Sequence, residues 1–141
     1  MQDFLDQFKI QYFSAAELTY LRREDEHRTP PQNLWHNIIP TVTIADCIRK
    51  LWGAPIYVTS AWRPDWYNEL VGGSPTSEHK KFRAMDIHVE DMDAFYPVAK
   101  AVVEAARARG LNVGLLRYES FIHIDVNAAA YKSKNRTIDM R

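Results

Sequence analysis

Histidine and aspartate residues are concentrated in two short blocks of the sequence, and these residue types bind transition metals. The first block, SEHKKFRAMDIHV, covers residues 77–89, and the second, FIHIDV, covers residues 121–126. A catalytic zinc takes three protein ligands from His, Asp, Glu or Cys and keeps a fourth position open. His79, Asp86 and His123 could form such a set if adjacent strands bring the blocks together. Taken singly, such histidines are more often solvated loop or packed core residues, so the interpretation depends on the combination.

Further motifs, in the same order, resemble one family of zinc peptidases. TSAWRP, YNELVGGSPTSEH and FIHIDV, with Gly114 and Tyr118 ahead of the last run, resemble the zinc D-alanyl-D-alanine carboxypeptidases and peptidoglycan endopeptidases of peptidase family M15. The family pattern S-x-H-x6-D, then F-[IV]-H-[IV]-D, is matched by Ser77, His79, Asp86, Phe121, His123 and Asp125. The resemblance covers about residues 10–127 and leaves residues 128–141 as a C-terminal tail.

This resemblance implies a zinc metallopeptidase that acts on the peptides of bacterial peptidoglycan, with a fold shared with the hedgehog signalling domain. It implies that His79, Asp86 and His123 bind the zinc. Bound Zn²⁺ lowers the pKa of its water to about 7 and polarises the scissile carbonyl, so no protein nucleophile is needed. Whether such an enzyme is an endopeptidase, a carboxypeptidase or a dipeptidase stays open.

Two residues are candidates for substrate binding. The resemblance implies that Arg63, in SAWRP, faces the substrate, where a fixed guanidinium can hold a terminal carboxylate or stabilise a developing oxyanion. The alternative for Arg63 is a structural ion pair. Ser77 matches the family serine beside the first ligand, so we expect it to bind substrate or orient the loop.

The general base is harder to predict than the metal ligands. Several relatives have an acid three residues before the last ligand, but this chain has Ser120 at that position. Residues two and four apart share a strand face, so Glu119 and Asp125 could both lie on the side of His123. We expect Asp125 to be the base, or else a partner that orients a ligand, with Glu119 as the second candidate.

Phe82 stands where many relatives have glycine, and a large aromatic there would reshape the cleft wall or change the loop backbone. This departure motivates an alternative function, a non-catalytic, zinc-stabilised module of the same fold that binds the cell wall or serves a structural role. His88 could line the cleft or be a partly exposed strand residue. Trp62, Trp66 and Tyr67 could form an apolar wall for a peptide or belong to the core.

The elements that must position these residues follow from apolar spacing and capping signals. In chain order, we expect a helix from Ser14 to about Arg22, a core helix from Leu34 to Trp52 that is kinked or broken at Pro40, a strand at 56–59, a helix at 64–71, a strand at 84–89, a helix after Asp91 that Gly110 closes, and strands at 113–116 and 121–126. This order predicts a single α+β domain over residues 1–141, with N-terminal helices packed on a small, mostly antiparallel sheet. We expect Cys47 to be a small buried residue of the core helix.

Composition excludes several other classes of protein. Lys and Arg total 18, as do Asp and Glu, and the single cysteine cannot form an internal disulfide. This neutral balance argues against nucleic-acid binding, and no apolar stretch is long enough for a membrane span.

We expect a monomer with no export signal, cytoplasmic in the producing cell. A phage or prophage protein that reaches the wall at lysis and a bacterial wall enzyme released by another route are both compatible with this.

Overall fold

A computed structural model describes residues 1–127 and 135–141, so residues 128–134 of the predicted tail lie outside the described residues. The α-helices are α1 (Gln2–Asp6), α2 (Ala15–Thr19), α3 (Ile39–Trp52), α4 (Asp65–Leu70) and α5 (Met92–Ala108). The strands are β1 (Tyr20–Leu21), β2 (Glu26–His27), β3 (Tyr57–Ser60), β4 (Ala84–His88), β5 (Val113–Arg117), β6 (Ile122–Val126) and β7 (Arg136–Asp139). Two 3₁₀ helices cover Gln32–Ile38 and Glu78–Lys81.

The main sheet has five strands in the order β3-β4-β6-β5-β7. Neighbours from β3 to β5 are antiparallel, and β7 joins β5 in parallel. Strands β1 and β2 form a separate hairpin. The prediction of an α+β chain with a mostly antiparallel sheet is confirmed at this level. The tail contributes a strand, β7, that the sequence did not predict.

One face of the main sheet packs against helices α3 and α5. Val42 and Ile48 of α3 and Phe95 of α5 are fully buried, and they share one apolar cluster with Ile87 of β4 and Leu115 of β5. Burial of such side chains is the main source of stability, at about 1.5–3 kcal/mol for each large apolar group. The other face of the sheet is therefore available for polar residues.

The predicted core helix is broken, as expected, close to Pro40. A 3₁₀ segment ends at Ile38, and α3 begins at Ile39 with Pro40 in its first turn. Proline is tolerated there because the first backbone N–H groups of a helix have no partner within the helix. Gly53 ends α3 with φ +77°, in the left-handed region.

The expectation that Cys47 is buried was wrong, because its side chain is exposed. The buried positions of α3 include Thr41, Ile44, Ala45 and Ile48. Successive helix residues are about 100° apart, so position 47 falls beside this stripe although it keeps the three-residue spacing from Ile44.

Within the described residues, none of the helices has both the length and the apolar character needed to cross a membrane.

Candidate metal centre

The polar face of the sheet brings the two histidine- and aspartate-containing blocks together. Asp86 on β4 lies directly opposite His123 on β6 in an antiparallel register. The preceding pair in the same ladder, Met85 and Ile124, is buried in the core. Because side chains alternate along a strand, Asp86 and His123 project together from the opposite face. Strand pairing thus joins residues that are far apart in sequence.

His79 reaches the same place from the 3₁₀ helix Glu78–Lys81. Ser77 caps this helix, its Oγ accepting a hydrogen bond from the His79 N–H at 3.2 Å. The His79 ring is buried, and its Nδ1 lies 2.6 Å from the carbonyl oxygen of Ala61. Since a carbonyl can only accept, Nδ1 donates to it, and Nε2 faces Asp86, at 3.1 Å from Oδ1. The Arg63 N–H donates to the His79 carbonyl and ties the two segments together.

Three potential ligand atoms converge in this arrangement. Nitrogen atoms of His79 and His123 and a carboxylate oxygen of Asp86 lie within 4.8 Å of one another, and His123 Nδ1 is 3.0 Å from Asp86 Oδ1. Tetrahedral zinc with ligands at about 2.1 Å separates neighbouring ligand atoms by roughly 3.4 Å. Two imidazoles and one carboxylate are also a donor set that zinc prefers. The residues therefore fit a zinc ion by both distance and chemistry.

Asp86 is ionised in this site, which is the form that binds a metal. Burial alone would raise the pKa of Asp86. Electrostatic attraction to His79, together with hydrogen bonds from His123 and His79, instead holds that pKa well below its usual range. Arg63 Nη2, at 3.4 Å from Asp86 Oδ2, lies beside the same carboxylate.

The second ring nitrogen of His123 is held by Asp125. His123 Nε2 donates to Asp125 Oδ2 at 2.7 Å, which directs Nδ1 toward Asp86. Burial alone would lower the pKa of His123, but the hydrogen bonds to Asp125 and Asp86 raise it to about 9. Burial likewise opposes ionisation of Asp125, yet His123 and Arg136 lower its pKa. A metal bound to Nδ1 would take the place of the proton that lies between this nitrogen and Asp86.

Arg63 is fixed beside the ligands by three side chains. Its Nε donates to Ser60 Oγ at 3.0 Å, its Nη1 to Asn68 Oδ1 at 3.3 Å, and its Nη2 to Asp86. Asn68 is itself buried and donates to the Ser74 carbonyl. A Cβ at Gly73 would collide with Asn68 Oδ1 and lie 2.9 Å from Arg63 Nη1. Asn68 and Gly73 belong to the YNELVGG run, whose positioning role was not predicted.

A pocket of about 490 Å³ opens onto these groups. Its lining includes the three potential ligands together with Arg63, Ser77, Tyr118, Phe121, Asp125 and Arg136. Tyr118 and Phe121 stack with ring centroids 4.4 Å apart and form an aromatic part of the wall. The predicted site residues thus share one open cavity, with Glu119 as the exception.

Glu119 lies in a different place from the one expected. Strand β6 begins only at Ile122, so the alternation that would align Glu119 with His123 does not extend back to it. Glu119 lines a second pocket of about 300 Å³, together with His88 and Arg117. His88 therefore does not line the ligand pocket either, and its Nδ1 contacts the Ser120 carbonyl.

Two of the three aromatic residues around Arg63 are part of the packing. Tyr67 is buried and its hydroxyl accepts from the Arg23 N–H at 3.0 Å, while Trp62 packs against the core cluster. Trp66 is exposed and lies near the Arg28 guanidinium. None of the three lines the ligand pocket.

Phe82 keeps a left-handed backbone although it is not glycine. Its φ is +57° and ψ is +46°, and its N–H closes the 3₁₀ helix by donating to the His79 carbonyl. The side chain is fully buried in the core cluster and does not line the pocket. Phe82 thus packs into the core and is not part of the cleft wall.

Arg136 of β7 is a site residue that sequence reasoning missed. Its Nη2 donates to Asp125 Oδ2 at 2.8 Å, and it lines the pocket. The RTID segment has no apolar alternation, so nothing local indicates either the strand or the contact.

A family model described as Peptidase M15 matches residues 11–125, a span that contains the three potential ligands, Arg63 and Asp125. No curated protein matches the chain in a sequence comparison.

Proposed function

Because this match covers most of its length, the chain belongs to the peptidase M15 family, and from that premise we propose that it is a zinc metallopeptidase that hydrolyses amide bonds in the peptides of bacterial peptidoglycan. Family membership indicates a peptidase. The observation that carries the finer proposal is the convergence of ligand atoms from His79, Asp86 and His123 in an open pocket.

In this proposal, His79, Asp86 and His123 hold the zinc. Bound zinc supplies polarisation of the scissile carbonyl and activation of water at neutral pH. The protein supplies the orientation of the ligands. The Ala61 carbonyl fixes the His79 ring, and Asp125 fixes the His123 ring, so each histidine presents one nitrogen to the metal.

We assign substrate binding to Arg63 and Ser77. The guanidinium of Arg63 is held by Ser60, Asn68 and Asp86, so it does not have to be ordered when a ligand arrives. Its side chain is 15% exposed and lines the pocket, where it can donate to a substrate carboxylate or to the carbonyl oxygen. Ser77 lines the same pocket and caps the 3₁₀ helix Glu78–Lys81, which carries His79.

Of the two acids considered as the general base, Asp125 is the better candidate for a role at the site. It lines the same pocket as the three potential ligands, and Glu119 lines a different one. Its Oδ2 already accepts from His123 and Arg136. We therefore propose that Asp125 orients His123, the second of the two roles expected for it.

The test is digestion of purified peptidoglycan by the zinc-loaded protein, with products identified by mass spectrometry. We expect new peptide termini with the wild type and none with His123→Ala. The matched control is His27→Ala, a histidine of strand β2 outside the pocket, which should cleave like the wild type. The product masses distinguish an endopeptidase from a carboxypeptidase or a dipeptidase. Binding to peptidoglycan without cleavage would instead support the non-catalytic module.

A further inference from the structure

Strand β7 places a charged residue beside the metal site from outside the span that matches the family. The match ends at residue 125, and β7 begins at Arg136. In the sheet, Gly114 of β5 is the register partner of both Asp125 on β6 and Arg136 on β7. The three residues therefore form one row across three adjacent strands.

Gly114 leaves the space in which Asp125 and Arg136 meet. A Cβ at this position would lie 2.8 Å from Asp125 Oδ1, 3.0 Å from Oδ2 and 3.1 Å from Arg136 Cζ. Real Cβ atoms essentially never approach a neighbour to under 3.0 Å, so a side chain here would displace the pair. The ion pair thus depends on glycine at the centre of the row.

The contacts form a chain that ends at a metal ligand. Arg136 Nη2 donates to Asp125 Oδ2 at 2.8 Å, and the same oxygen accepts from His123 Nε2 at 2.7 Å. The Asp125 side chain is only 3% exposed, whereas that of Arg136 is 39% exposed. Leaving a buried carboxylate without its charged partner costs free energy. Without the guanidinium, Asp125 is therefore expected to shift away from His123.

The backbone of β7 is fastened independently of the Arg136 side chain. Arg107 of α5 donates from Nη2 to the carbonyls of Val113 and Arg136, and from Nη1 to Thr137 Oγ1. The docking of β7 and the contact of Arg136 with Asp125 are therefore made by different groups. Substitutions can separate them.

From these contacts we propose that Arg136 is a positioning residue of the metal centre, which holds Asp125 in place over Gly114 and through it fixes the His123 ring. The proposal rests on the proposed function only for the identity of the metal. Its readout is metal binding, which does not require peptidase activity.

The experiment measures zinc affinity by competition with a chromophoric chelator at one fixed pH. We expect Arg136→Gln to weaken zinc binding about 10-fold, at the low end of the range seen when a partner of a metal ligand is removed. Arg136→Lys should recover most of the loss. The matched control, Arg141→Gln, removes an arginine that pairs with Asp139, and it should stay within about twofold of the wild type.

Two further measurements exclude a merely structural effect. Thr137→Val breaks the contact with Arg107 but spares the ion pair, so it should leave zinc affinity and the visible spectrum of the Co²⁺-substituted protein unchanged. Arg136→Gln should change that spectrum. In an Asp125→Asn background, Arg136→Gln should cause no additional loss of affinity, because its effect passes through Asp125.

The proposal is overturned if Arg136→Gln binds zinc as the wild type does, if Thr137→Val weakens binding equally, or if the loss persists in the Asp125→Asn background. A wild-type protein that binds no zinc also overturns it. A wild-type protein that binds zinc but leaves peptidoglycan intact overturns the proposed function alone.

Discussion

The two histidines of the candidate metal centre are oriented by partners of different kinds. His79 donates to a backbone carbonyl, that of Ala61, whereas His123 donates to the carboxylate of Asp125. A carbonyl is neutral and fixed by the chain. A carboxylate is charged, and its side chain must itself be held, so the geometry of His123 is the more sensitive of the two to substitution.

The positions of Asp125 and Glu119 predict unequal effects for the two acids considered as bases. Asp125→Asn should lower zinc-dependent cleavage by about 10- to 100-fold, since it weakens the support of a metal ligand. Glu119→Gln should cleave within about twofold of the wild type, because Glu119 lines the other pocket. The measurement is kcat/KM on a soluble peptidoglycan fragment. A large loss with Glu119→Gln would show that this residue does reach the reacting atoms.

Phe82 gives a second prediction at this scale, in which two effects oppose each other. Phe82→Gly relieves a left-handed backbone, worth about 1–2 kcal/mol, but it removes a fully buried aromatic side chain, worth about 3–5 kcal/mol. We therefore expect the free energy of unfolding in urea to fall by about 1–4 kcal/mol.

The matched control for Phe82 is Lys9→Gly. Lys9 has the same φ of +57° but an exposed side chain, so only the backbone effect remains, and we expect a gain in stability of about 1–2 kcal/mol. If Phe82→Gly proved as stable as the wild type or more so, the packing role assigned to Phe82 would be wrong.

At the scale of elements, the grouping of His79, Asp86 and His123 could be predicted because Asp86 and His123 lie in locally recognisable strands and His79 lies a short way before the first of them. β4 and β6 have the β-branched and apolar residues of buried strands, and their pairing places Asp86 opposite His123. The six-residue gap between His79 and Asp86 is short enough for one loop to return the chain to the same face.

Other parts could not be predicted from local sequence. The contact of Arg136 with Asp125 depends on β7 joining β5 in parallel, a tertiary pairing that the RTID segment does not signal. The prediction for Glu119 was wrong for a different reason. It assumes that strand alternation reaches back to residue 119, but β6 begins at Ile122. Element boundaries thus decide which pocket a side chain faces.

The attachment of β7 gives a prediction for α5. Arg107→Gln removes a guanidinium that donates to the Val113 and Arg136 carbonyls and to Thr137 Oγ1. We expect stability to urea to fall by about 1–3 kcal/mol. Arg109→Gln, an exposed arginine at the C-terminal end of the same helix, should change stability by less than about 0.5 kcal/mol. Equal stability of the two variants would contradict the role given to Arg107.

At the scale of the whole molecule, zinc would be the largest local charge in an otherwise balanced chain. Lys and Arg equal Asp and Glu at 18 each, so one Zn²⁺ makes the net charge about +2, concentrated in the ligand pocket. An anionic or carbonyl-rich peptide is then attracted to the pocket itself and not to the general surface.

Metal removal should therefore be visible as a loss of global stability. A ligand that binds only the folded state at 1,000 times its dissociation constant stabilises it by about 4 kcal/mol. We expect chelation to lower the melting temperature of the wild type by roughly 10 °C and to leave His123→Ala unchanged. Differential scanning calorimetry measures both. An identical melting temperature with and without chelator would mean that the three residues do not hold a metal.

The most direct test of the central claim is the rate of peptide release from purified peptidoglycan as a function of zinc bound per chain. The arrangement of His79, Asp86 and His123 predicts no release from the metal-free protein and a linear rise that levels off at one zinc per chain. Release that is independent of bound zinc, or none at full occupancy, would contradict the claim that this centre hydrolyses peptidoglycan peptides.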